Sequence, residues 1–408
     1  MTFAREGTLP LSQFEFYSSR GIFPSQVSLS QASELAKYAA VRRSLYERHL
    51  HVPLGLLRGH EVLELGCGTG DSALVLALLG ARLTLVDADP RVFAPLDAAF
   101  AAHGVSAAIT ERVVARAEDY RPQRRFALAM AEGYLFTCER RDQVLRTMLG
   151  ALDPDGLMSV SFPDELGSFM EFLKKAAFLR ACALRGIDDL FGDDAEETGQ
   201  ALLGRSHGLL PNLRPFRVWL HDCICSPFLV LRYCWSAPAI MAATMAEGAA
   251  YYSSSPSILE VDRLGWYKDV VDIAEWNARA LRGYGERAAD FVFGVPVRFD
   301  KPALSARFAV DTRALLAQTS AWFEAPLRPF PKPKASWFSA LGRSDLPRPT
   351  QRALEAYFNA FAARTWPDFR RALRGAQRVF DLWGKSYHYL VLRRAAHKAP
   401  PKRLRAAR

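Results

Sequence analysis

Residues 61–70 read Glu-Val-Leu-Glu-Leu-Gly-Cys-Gly-Thr-Gly, and residues 82–87 read Arg-Leu-Thr-Leu-Val-Asp. An apolar strand over 62–65 runs into glycines at alternate positions, Gly66, Gly68 and Gly70. A helix is expected over 71–79, with Gly80 as its stop, and a second strand over 83–86 ends on Asp87. This is a βαβ unit with a ligand loop behind its first strand. Glycines let a ligand approach the backbone, the helix N-terminus offers unpaired N–H groups, and an acid about 20 residues on can accept a ribose diol. The spacing is Gly-x-Gly-x-Gly, not the dinucleotide Gly-x-Gly-x-x-Gly, and Glu64 stands two residues before the first glycine. An acid beside the loop favours a ligand with a positive end.

Residues 63–70 together with Asp87 closely resemble the first motif of class I S-adenosylmethionine-dependent methyltransferases. The resemblance spans about residues 35–162 and is strongest at 61–87. It implies S-adenosyl-L-methionine as cofactor and a transferase activity. It also implies that Glu64 sits near the methionine ammonium, directly or through water, that the backbone around Gly66, Cys67, Gly68 and Gly70 meets the amino-acid part, and that Asp87, followed by Ala88, accepts the ribose hydroxyls. At the adenine end two registers are open. In one, Arg116 stands where relatives carry an acid, so Ala117 and Glu118 must serve; in the other, Asp119 fills the role. A weaker likeness, in the Arg42-Arg43-x-Leu45-Tyr46 lead-in and at 131–133, is to methyltransferases of bacterial surface-polysaccharide clusters, which implies a sugar or nucleotide-sugar acceptor.

Strand and helix alternate over 61–162, with further strands at 112–115, 126–131 and 157–162, which predicts a Rossmann-like α/β fold with a doubly wound, mostly parallel sheet. Residues 1–60 read as an N-terminal helical segment and 163–247 as a helical insertion covering the substrate site. A late strand is expected within 248–262, a helical region over 263–392 and a basic tail over 393–408.

Ligands in open parallel sheets lie beyond the carboxyl ends of the strands, which directs attention to Glu132-Gly133-Tyr134 after the fourth strand. Glu132 suits the sulfonium and the chemistry, and Tyr134 suits the acceptor through its ring face. Methyl transfer needs a positioned acceptor and, for a hydroxyl or ammonium, a base. His221 and Asp222, an adjacent polar pair amid apolar segments, are candidates, and Trp266 and Lys268 are candidate acceptor-binding residues. His221, Cys223, Cys225 and Cys234 lack a second paired motif, so inert buried thiols are expected and no metal.

The formal charge of +10 falls to +3 over the other 392 residues once the seven Lys and Arg of 393–408 are set aside, so the tail reads as a solvated terminus. The body shows no basic stripe for nucleic acid. The most apolar stretch, residues 233–246, is too short to span a membrane, six scattered cysteines suggest no disulfide framework, and the N-terminus has no signal-peptide pattern. A cytoplasmic enzyme acting on a small-molecule acceptor is expected, without membrane insertion, with homo-oligomer formation left open. The competing readings are a nucleic-acid methyltransferase using the tail and a non-catalytic S-adenosylmethionine-binding protein.

Overall fold

The computed structural model describes residues 15–16, 31–210, 215–259 and 272–395. Seven strands form one sheet in the order β3-β2-β1-β4-β5-β7-β6. The strands are β1 (Glu61–Leu65), β2 (Arg82–Asp87), β3 (Ile109–Val114), β4 (Phe126–Ala131), β5 (Leu152–Pro163), β6 (Ala249–Ser255) and β7 (Tyr387–Arg394). The first five run parallel, and β7 is antiparallel to both β5 and β6. Strands such as Phe-Ala-Leu-Ala-Met-Ala in β4 are apolar at consecutive positions because helices cover both faces of a parallel sheet. The chain reverses between β1 and β4, on either side of which β2 and β5 lie, so the crevice at their carboxyl ends is the expected ligand position.

Two expectations change. The run Tyr-His-Tyr-Leu-Val-Leu-Arg-Arg is β7, not the end of a helical block, as its aromatic and β-branched residues suit a strand buried between β5 and β6. Arg393 and Arg394 therefore belong to the sheet: Arg394 Nη1 donates to Gly150 O at 3.0 Å and Arg393 pairs with Asp155 at 3.6 Å. In addition, the fifth strand, expected over 157–162, starts at Leu152 and takes in the segment 153–156. Across that segment, pairing with β4 jumps from Phe126↔Leu152 to Leu128↔Leu157. The helix before it is α4 (Arg141–Ala151), preceded by α1 (Ala32–Arg43), α2 (Asp71–Leu78) and α3 (Phe93–Ala102).

The insertion begins with α5 (Phe169–Arg185), buried on nearly every side over its first fourteen residues. Such a helix is central to a core, not laid on a surface. Four of its charged side chains are buried. Lys174 Nζ donates to Leu382 O; Lys175 Nζ donates to Ser226 O at 2.7 Å and Leu229 O at 3.1 Å; Arg180 reaches Pro326 O at 2.9 Å and Ala363 O at 2.8 Å. Lys174 and Arg180 thus tie α5 to the C-terminal region, and Lys175 ties it to the rest of the insertion, each through backbone carbonyls. Glu171 is the fourth, and it differs.

No helix among the described residues is long and apolar enough to cross a membrane.

Candidate functional site

At the carboxyl ends of the parallel strands lies a cavity of about 1440 Å³. Ligand pockets commonly occupy about 300–1,000 Å³, so this one has room for a cofactor and a second molecule. Its floor is the loop after β1 and the ends of β2 to β5. One side is α1, and its cover comes from the insertion and from β7.

The loop after β1 is shaped by backbone that only glycine adopts readily. Gly66, Gly68 and Gly70 have φ of +69°, +51° and +82°. Their surroundings differ. A Cβ at Gly68 would meet nothing within 4 Å, so its backbone faces open space in the cavity wall. A Cβ at Gly70 would lie 2.7 Å from Leu96 Cγ, so Gly70 serves the packing of α2 on α3 and does not line the cavity. A Cβ at Gly66 would run into the Tyr134 ring.

Asp87 is fixed by that loop. Its Oδ2 accepts the Gly68 N–H and its Oδ1 the Asp89 N–H, each at 2.9 Å, and the carboxylate faces the cavity beside Ala88. Burial raises its carboxyl above the usual range, against the lowering effect of those two N–H donors. Glu64 lies behind the loop, buried and outside the cavity lining, with Oε2 unbonded. Burial and the neighbouring Glu132 charge push its carboxyl up to about 8. Cys67 is likewise a core residue. After β3, Ala117 and Glu118 line the cavity, whereas Asp119 lies outside its lining and pairs with Arg140, a cavity residue, at 2.9 Å.

Glu132 lines the cavity with both carboxylate oxygens hydrogen-bonded. Arg42 Nη2 donates to its Oε2, and Tyr46 and Ser159 donate to its Oε1 at 3.3 and 3.1 Å. Burial works to lower the Arg42 pKa, but the facing Glu132 and Tyr46 leave it well above its ordinary value. Tyr134 lines the cavity beside the loop after β1. Besides the ring's contact with Gly66, its buried hydroxyl has no hydrogen-bond partner, and burial, then the nearby Cys138 and Asp87, holds its pKa well above the ordinary value.

His221 and Asp222 part company because they fall in a short π-helical turn, Leu220–Ile224, where neighbours point apart. Asp222 lines the cavity; His221 packs edge-on against Phe191 at 5.2 Å between centroids, and burial lowers its pKa. Trp266 and Lys268 lie outside the described residues. Cys225 and Cys234 are buried and Cys223 half-buried, all as free thiols. Among the described residues no group of three or more His, Cys, Asp and Glu side chains is arranged to hold a metal.

Sequence reasoning missed Glu171. It lines the cavity at 7 % exposure, its Oε2 has no hydrogen-bond partner, and the Ser386 hydroxyl and Lys174 face its carboxyl group. An acid between Met170 and Phe172 in an apolar helix carries no local motif. It also missed Arg141 and Arg232, which line the same cavity.

The site fits a class I methyl donor on structural grounds. Gly68 exposes bare backbone to the cavity, Asp87 presents a carboxylate at the strand end, and Glu64 leaves a buried carboxyl oxygen unbonded behind the loop.

Residues 62–156 match the family model described as a methyltransferase domain. No curated protein matches the chain. Among solved structures, the chain is similar to the CcbJ methyltransferase from Streptomyces caelestis (24% identity over 28% of this chain and 48% of that one, TM-score 0.26). It is also similar to the glycopeptide N-methyltransferase MtfA complexed with sinefungin (19% identity, 31% and 50% covered, TM-score 0.27). The cyclase SpnF aligns over 88% of this chain and 81% of that one at 14% identity, TM-score 0.36. The chain spans about half the length of the two methyltransferases. Over residues 62–156 the chain thus carries a segment similar to methyltransferase domains.

Proposed function

We propose that the protein transfers a methyl group from S-adenosyl-L-methionine to an O or N atom of a small polar metabolite, of the sugar or nucleotide-sugar class. The observation that carries this reading is the continuity of one cavity from Gly68 and Asp87 at the cofactor loop to Glu171 and Asp222 in the insertion. A binding-only protein would need the first half alone.

In this reading the backbone at Gly66 and Gly68 receives the amino-acid part, Asp87 the ribose diol, and Ala117, Glu118 and Tyr134 the adenine end. Glu64 acts from behind the loop as a buried acid, and Cys67 and Gly70 shape the loop without touching the ligand. When bound, the cofactor supplies a methyl group on a positively charged sulfur that leaves with the bonding pair. The protein then has to exclude water, aim the acceptor and take its proton. Glu171 suits the taking of that proton, because it lines the cavity, one of its buried carboxyl oxygens is unbonded, and burial raises its carboxyl above the usual range against the lowering influence of Lys174. Asp222 is the second candidate for that role. The Arg42–Glu132 pair holds α1 to the end of β4 and so braces the cavity wall.

The test is a methyl-transfer assay with labelled cofactor against separate pools of nucleotide sugars, small metabolites and RNA. Label on a small metabolite supports the reading, and label on RNA alone would replace it.

A further inference from the structure

Five arginines line the cavity, and three of them face acids: Arg42 faces Glu132, Arg140 meets Asp119, and Arg116 lies 4.0 Å from Glu15. Arg141 and Arg232 make no ion pair among the described residues. Arg141, the first residue of α4, is half-buried. Its guanidinium lies 4.5 Å over the Trp235 ring, and one nitrogen donates to Phe136 O at 3.1 Å, which leaves most of its five N–H donors unused. Burial lowers its pKa against the raising influence of the neighbouring Asp142, which does not pair with it. Arg232 lies 4.8 Å over the Tyr233 ring and makes no hydrogen bond among the described residues. Both guanidiniums thus lie over rings of one short stretch of chain, residues 232–235.

A half-buried guanidinium without an acid is costly to keep, whereas a planar fork held flat on an aromatic ring is prepared for a carboxylate or phosphate. We propose that Arg141 and Arg232 form an anion-binding subsite, so that the acceptor carries a carboxylate or phosphate group. This rests on the methyl-transfer reading for the word acceptor, but the subsite stands or falls by itself.

The experiment titrates inorganic pyrophosphate and, separately, succinate into the full chain saturated with S-adenosylhomocysteine, at constant ionic strength. Saturation keeps the cofactor's own carboxylate out of the measurement. One anion should bind, pyrophosphate marking a phosphorylated acceptor and succinate a carboxylated one. Arg141→Gln and Arg232→Gln should each weaken binding about tenfold or more, consistent with losing a charged hydrogen bond. Arg141→Lys should recover part of the loss, and Arg112→Gln, which removes a surface partner of Asp97 far from the cavity wall, should change nothing. Arg232 is exposed, so its variant decides the matter even if Arg141→Gln disturbs α4. Binding of neither anion, or binding unchanged in both glutamine variants, overturns the subsite. Failure of S-adenosylhomocysteine to bind would instead remove the cofactor reading, and the same anion titration without it would still test the two arginines.

Discussion

The Tyr134 ring lies directly on Gly66, in the space that any side chain at position 66 would occupy. The glycine is needed twice over, for its φ of +69° and for this contact. Gly66→Ala should therefore displace Tyr134 and reduce S-adenosylmethionine affinity by two orders of magnitude or so, while Gly68→Ala, with open space around its Cβ, should act only through backbone strain of about 1–2 kcal/mol. Calorimetry on both variants checks the order. Equal losses would mean that the Tyr134 contact is irrelevant to the ligand.

Asp87 carries two burdens, holding the Gly68 and Asp89 N–H groups and facing the cavity. Asp87→Ala should weaken S-adenosylmethionine binding tenfold or more, at about 1.5–3 kcal/mol for each charged hydrogen bond lost. The same titration with NAD separates cofactors. Tighter NAD binding by the unaltered protein would contradict the methyl-donor reading.

The Arg42–Glu132 pair joins residues 90 positions apart, both nearly buried. Removing one partner of a buried pair leaves the other uncompensated, at about 3–5 kcal/mol. Glu132→Ala should lower the unfolding free energy by that order, read from denaturant midpoints. A stable Glu132→Ala protein that binds cofactor and has lost only turnover would restore Glu132 to a direct catalytic role.

How much of this was legible follows from where each piece of chemistry resides. Gly66, Gly68 and Asp87 lie in one short βαβ unit whose local pattern dictates both fold and ligand loop, so the sequence suffices. The two registers at 116–119 could not be separated without knowing which way each acid turns; Glu118 faces the cavity and Asp119 faces Arg140. Strand β7 follows some 220 residues after β5, its partner, and nothing local announces that pairing. Glu171 was hidden because Phe-Met-Glu-Phe-Leu-Lys-Lys reads as a helix with a polar face, yet α5 is buried all round and its charges are matched by carbonyls from distant segments. Arg42 was visible as part of a lead-in, but its partner could be known only in three dimensions.

The Glu64 carboxyl makes a pH prediction with a definite sign. Burial, then the Glu132 charge, raises it from 4.5 to about 8. A carboxyl raised in the folded state binds its proton more tightly there than in the unfolded chain. Its stabilising contribution is complete below about pH 4.5 and is lost as pH rises through about 8. Stability should fall across that window, and Glu64→Gln, which cannot ionise, should flatten the fall. Urea midpoints of both proteins at several pH values test this. Parallel curves would show that Glu64 is not the titrating group.

Glu171 makes the mechanistic prediction. It lines the cavity with one buried carboxyl oxygen unbonded, and its carboxyl group is bordered by Lys174 from its own helix and Ser386 beside β7. A base works only when deprotonated, so turnover should rise with pH through the raised pKa of this carboxyl group. Burial lowers Lys174 to about 8, so above that pH the neighbouring cation is lost and a second inflection is expected. Glu171→Gln keeps the shape and the Ser386 contact but cannot take a proton. On whichever acceptor the pooled assay identifies, it should cut kcat by about 10²–10⁴-fold, leave S-adenosylmethionine affinity within a factor of two or so, and abolish the rising limb of the pH profile. Glu171→Asp, a base placed one methylene short, should retain the limb at reduced rate. If the glutamine variant kept the pH dependence, the proton would be leaving by another route, and Asp222, the other unassigned acid on the cover of the cavity, would be the group to substitute next.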